Sequence, residues 1–112
     1  MAVVAFTTAP HALVRAINAE LEHKSLDGWV RDRDGDFTRP DSPPEYRAWF
    51  RPKIAEDRVR FLVLAPNDRR MSVRSYARAH ASFIEFLLSH FDSKFTAASA
   101  TALPITGDSV GG

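Results

Sequence analysis

Tyr46 to Ala65 reads YRAWFRPKIAEDRVRFLVLA, and the way this stretch folds back on itself decides the architecture. Two β-rich runs flank Glu56-Asp57. An even-length turn there pairs Ile54 with Val59, Pro52 with Phe61 and Phe50 with Val63. One face of the hairpin then collects Tyr46, Ala48, Phe50, Pro52, Ile54, Val59, Phe61, Val63 and Ala65, none of them charged. An odd-length turn would pair Ile54 with Arg58 and mix the faces. Burial sets register, because a slip of one residue turns every side chain over. The even turn is therefore expected. Pro52 has no N–H to give to a ladder, which predicts a sheet edge or a bulge at that point.

Working outward, Val3 to Phe6 reads as a short strand. Pro10 suits the first turn of a helix, where its missing N–H costs nothing. Leu13, Val14, Ile17 and Leu21 follow at helical spacing, and Gly28 is expected to cap the end. Asp34-Gly35 predicts a type I′ hairpin turn within Trp29 to Arg39, pairing Arg33 with Asp36. Asp41-Ser42-Pro43-Pro44 must be a loop. Ser72 is the expected N-cap of a second helix. Its wide apolar stripe runs through Val73, Tyr76, Ala77, His80, Phe83, Ile84, Leu87, Leu88 and Phe91. Phe95 to Leu103 alternates weakly and reads as a last strand or a frayed helix end. The predicted class is α+β in the order β-α-ββ-ββ-α-(β), with two helices on one face of a mainly antiparallel sheet of about five strands.

The chain has 112 residues, 45% of them hydrophobic and 26% charged, which fits one globular domain. Residues 1–103 are expected to form it, with 104–112 as a flexible tail poor in apolar mass. There is no cysteine, hence no disulfide framework and no thiolate site. The N-terminal apolar run is too short for a signal peptide, and no stretch approaches the about 18 apolar residues of a membrane span. A soluble, cytoplasmic protein without membrane attachment is expected.

The formal net charge is only +1, but it is unevenly spread. Residues 1–46 carry a net −3, residues 47–78 a net +6 and residues 79–112 a net −2. The basic third includes the other face of the hairpin: Arg47, Trp49, Arg51, Lys53, Arg58, Arg60, Leu62 and Leu64. Tryptophan and arginine are the usual anchors of protein interfaces, and two leucines there call for cover. The expected function is a non-enzymatic interaction module that binds an acidic protein partner through this face. Self-association through the same face is a second partner reading, opposed by five like charges. Single-stranded nucleic acid is the alternative ligand, with Trp49 stacking on bases and the cations on phosphates. The bland alternative is a solvated face whose arginine stems shield an open sheet.

Arg70, Arg74 and Arg78 recur every four residues and suggest a weak anion site at the start of the second helix. A solvated helical face is the favoured explanation. Asp32-Arg33-Asp34-Gly35-Asp36 resembles the first half of a calcium loop, but Phe37 stands where such a loop needs glycine and Pro43 where it needs glutamate. It reads as a charged hairpin tip, and no metal is expected. The histidines, His11, His23, His80 and His90, lack metal-ligand spacing, and His80 reads as a core histidine. No nucleophile elbow, phosphate loop or dinucleotide fingerprint occurs, so no cofactor is expected. A small enzyme would require a pocket that holds a histidine beside a carboxylate.

Overall fold

Hydrophobic periodicity builds a two-layer α+β structure. A computed structural model describes residues 2–66 and 70–103. The elements are β1 (Val3–Phe6), α1 (Pro10–Leu21), β2 (Val30–Arg31), β3 (Phe37–Thr38), β4 (Trp49–Ile54), β5 (Arg58–Leu64), α2 (Val73–Phe91) and β6 (Ala97–Ala100). The strands form one antiparallel sheet in the order β2-β3-β4-β5-β1-β6. The sheet has six strands rather than about five, because Ala97–Ala100 pairs with β1 as a strand. The proposed tail, 104–112, lies outside the described residues.

The central hairpin adopts the expected register: Phe50 opposite Val63, Pro52 opposite Phe61 and Ile54 opposite Val59. The turn closes where Ala55 N–H donates to Arg58 O at 2.9 Å. Phe50, Val59, Phe61 and Val63 point to the helices with Val3 and Ala5, and Leu13, Ile17, Phe83 and Leu87 cover them. β4 is an interior strand, not an edge. Pro52 is tolerated because β3 pairs only with Trp49 and Phe50 and stops short of it.

Phe83 is the hub of the core. Its ring stacks on Phe50 at 4.4 Å and 5°, and it also meets Trp29, Phe37, Phe61 and Phe86. Ser72 caps α2, its Oγ accepting from Ser75 N–H at 3.1 Å. His80 is buried, with Nδ1 donating to the Tyr76 carbonyl.

Three local expectations are corrected. First, the type I′ turn is at Asp27-Gly28, not Asp34-Gly35. Asp27 and Gly28 have φ of 51° and 84°, and Leu26 and Trp29 exchange both backbone hydrogen bonds. Gly28 thus serves this turn and does not cap α1, which ends at Leu21. Second, Arg33 does not pair with Asp36. Asp32 N–H donates to Asp36 O, leaving a three-residue loop with Gly35 at φ 85°. The Asp32 carboxylate selects this loop by accepting the N–H groups of Asp34 and Asp36, both at 2.9 Å. Third, the stripe on α2 is too wide for the sheet to cover. Ala79, His80, Phe83, Phe86, Leu87 and Phe91 are buried, whereas Val73 and Leu88 are exposed.

Phe83→Ala is expected to cost about 3–5 kcal/mol, the range for truncating a buried phenylalanine. Urea unfolding should show the loss as a lower midpoint at unchanged slope.

Candidate functional site

The helices leave one face of the sheet uncovered. Because cross-strand partners share a face, the register assembles it directly. Trp49 stands opposite Leu64, Arg51 opposite Leu62 and Lys53 opposite Arg60. On β1, Phe6 lies opposite Arg58 and Val4 opposite Arg60. Leu62 is nevertheless buried. Arg51 stands directly across from it, and the methylene stem of an arginine shields apolar surface in this position.

Three of the five cations are already committed. Arg51 makes a two-pronged ion pair with Asp36, Nε to Oδ1 at 2.8 Å and Nη2 to Oδ2 at 2.9 Å. The Asp36 side chain is only 4% exposed and that of Arg51 is 42% exposed. This hydrogen bonding and the Asp36 charge hold the Arg51 guanidinium above its ordinary pKa, with Asp34 and Asp32 adding to the effect. Arg58 pairs with Asp57 at 2.9 Å and 3.1 Å, and its guanidinium lies 4.9 Å from the centre of the Phe6 ring. The hydrogen bond between them raises the Arg58 pKa and lowers that of Asp57. Arg47 donates from Nη2 to Ser42 O at 2.9 Å, which braces the proline-rich loop.

Lys53 and Arg60 differ from these. Among the described residues neither has an ion pair, although they stand directly opposite each other. Like charges in that position repel.

At the other end of the face, Trp49 and Leu64 border an open depression of about 660 Å³, lined also by Asp32, Asp34, Asp36, Arg51, Ala65 and Pro66. One oxygen from each of the three aspartates lies within 4.8 Å of the others. The charged hairpin tip thus lies beside Trp49, a placement the hairpin register alone does not give. Asp36 is spent on Arg51, and Asp32 Oδ1 on two backbone N–H groups. The face therefore runs from an acidic, aromatic end to a basic end.

Of Arg70, Arg74 and Arg78, two share a cleft beside the first turns of α2. Ser72 satisfies the Ser75 N–H there. Arg74 and Arg78 line this shallow cleft with Glu45, Tyr46 and Ser75, and Arg78 lies 5.8 Å from the centre of the Tyr46 ring. An acid in the lining opposes an anion site.

A histidine does meet a carboxylate elsewhere. His90 Nε2 lies 2.6 Å from Asp27 Oδ2. Asp27 also lines a cleft of about 250 Å³ with Arg39, Asp41, Glu85 and Ser89. His90 is not among the residues that line that cleft. The pair does have a structural consequence, tying the type I′ turn to the end of α2. No helix among the described residues is long and apolar enough to cross a membrane.

Comparison with protein-family models, curated proteins and solved structures found no match. The functional argument therefore rests on the site itself.

Arg51→Ala is expected to cost about 2–3 kcal/mol, below the about 3–5 of a fully buried broken pair because Arg51 is partly exposed. It strands a carboxylate out of water. Asp36→Asn should cost about 1 kcal/mol, because the guanidinium it frees reaches solvent. Urea midpoints of the two variants should therefore rank in that order, and equal losses would mean the pair carries no buried charge.

Proposed function

We propose that the open sheet face binds an acidic, extended protein segment. The observation that supports this best is the Lys53–Arg60 pair. Two cations stand opposite each other without an acid among the described residues, on a face whose other end is the open Trp49–Leu64 depression. Holding like charges in register costs a few tenths of a kcal/mol, and a bound carboxylate would remove that cost. Trp49 and Lys53 lie four residues apart on β4, about 13 Å at the usual rise of a strand. The segment envisaged places a bulky apolar side chain on Trp49 and Leu64 and its acids on Lys53 and Arg60. Asp32 and Asp34 repel acids at the aromatic end, so they fix its direction.

The same carboxylates weigh against single-stranded nucleic acid. A base stacked on Trp49 would bring its phosphate towards Asp32 and Asp34, and only Lys53 and Arg60 remain to meet phosphates. A cysteine-free chain fits the reducing cytoplasm, where the partner is sought.

The probe is a synthetic peptide with one phenylalanine followed, about four residues on, by three glutamates. Trp49→Ala is expected to weaken binding about tenfold or more, as for an interface anchor. Lys53→Glu should weaken binding while raising the unfolding midpoint slightly, because it creates a cross-strand ion pair with Arg60. Opposite signs in the two measurements separate a binding cation from a structural one. Binding of oligo-dT that is tighter than the peptide, with steep salt dependence, would overturn the reading in favour of nucleic acid.

A further inference from the structure

The unburied half of the α2 stripe lies on the helix layer, away from the face just described. Val73 is 72% exposed and Leu88 53% exposed; Ala77 and Ala81 are exposed and Ile84 is half-buried. Ala77, Ala81, Ile84 and Leu88 follow one another at intervals of four, three and four residues. That spacing makes a straight seam along a helix, the pattern by which two helices pack on each other. Alanines at its centre let a second helix approach closely, since interaxial distance depends on the side chains at the contact. Ala81, Ile84 and Leu88 already line a shallow groove with Glu85 and Ser89.

The charges beside the seam point to the occupant. Arg74, Arg78 and Glu85 all lie along the same flank of it by helical rotation, the cations towards the N-terminus and the acid towards the C-terminus. Among the described residues none of the three has an ion pair. Arg74 lies in the first turn of α2, where a cation opposes the helix dipole. A two-fold axis perpendicular to α2 near Ala81 and Ser82 supplies the missing partners. It runs the helices antiparallel and keeps each flank against its own copy. Arg78 of one chain then meets Glu85 of the other, twice over. Arg74 falls beside Ser89. A parallel arrangement would set like charges level with each other.

We infer that the outer stripe of α2 is a self-complementary interface, on which a second copy of this chain packs its own α2 antiparallel. Such a dimer leaves the open sheet faces pointing outwards.

The chain has no cysteine, so introduced ones report directly. Oxidised Ala81→Cys is expected to cross-link to its own copy, because residue 81 lies at the axis. Val73→Cys should not, because its two copies are about 25 Å apart at 1.5 Å per residue, whereas a disulfide needs Cα atoms within about 7 Å. In low salt, sedimentation velocity of the full chain should show a concentration-dependent dimer. Leu88→Glu and Arg78→Glu should each raise its dissociation constant about tenfold or more, worth about 1.4 kcal/mol per tenfold. Adding Glu85→Arg to Arg78→Glu should restore it, with unfolding midpoints of the monomer unchanged throughout. A monomer up to about 1 mM, at the weak limit of association, would overturn the inference. So would cross-linking of Val73→Cys as efficient as that of Ala81→Cys, or a double variant as weak as Arg78→Glu alone. None of these outcomes bears on peptide binding at Trp49.

Discussion

The pairing of Phe50 with Val63 carries consequences for both layers of the molecule. It places Phe50 flat against Phe83, and through Phe83 it joins Trp29, Phe37, Phe61 and Phe86. A one-residue slip would turn these rings to water and carry Arg51, Lys53, Arg58 or Arg60 into the aromatic layer. An unpaired charge there costs several kcal/mol, a large part of the about 5–15 kcal/mol that holds such a domain together. The same constraint that builds the core therefore also lays out the opposite face.

This explains why the centre of the fold is legible from residues alone. Alternation over Tyr46–Ala65 offers one register without a buried charge, and that register forms. The helices are legible for a similar reason, since Leu13, Ile17, Phe83 and Leu87 repeat at helical spacing. What is not legible depends on choices that local chemistry leaves balanced. Asp27-Gly28 and Asp34-Gly35 are the same dipeptide, yet only the first forms a type I′ turn. The second is captured by the Asp32 carboxylate, which holds two backbone N–H groups. A side chain two or four residues away thus decides the turn type.

The candidate site was legible as a list but not as a set of free groups. Arg47, Trp49, Arg51, Lys53, Arg58 and Arg60 come from the register, yet three of the cations have partners outside the hairpin alternation. Asp36 meets Arg51 only because Phe37 pairs with Phe50, a contact between strands joined by a ten-residue connection whose length hides the register. Asp57 takes Arg58 from the turn itself. Basic composition therefore overstates basic surface, and the opposed pair Lys53 and Arg60 stands out only once the committed arginines are removed.

The width of the α2 stripe follows the same logic from the other layer. A helix resting on a sheet buries one side, and α2 does so with Phe83, Phe86 and Leu87. A stripe that continues round to Val73, Ala81 and Leu88 exceeds what a two-layer fold can cover. Nothing in the sheet requires those residues, and exposed leucine and valine bring no stability to the isolated chain. Arg74, Arg78 and Glu85 beside them likewise have no ion pair among the described residues. One arrangement, an antiparallel second helix, satisfies both the apolar excess and the unpaired charges. Neither is relieved by any contact on the open sheet face, so the two surfaces pose separate physical problems. That separation would let a dimer present two sheet faces at once, and a partner with two acidic segments would gain from avidity without any change in either site.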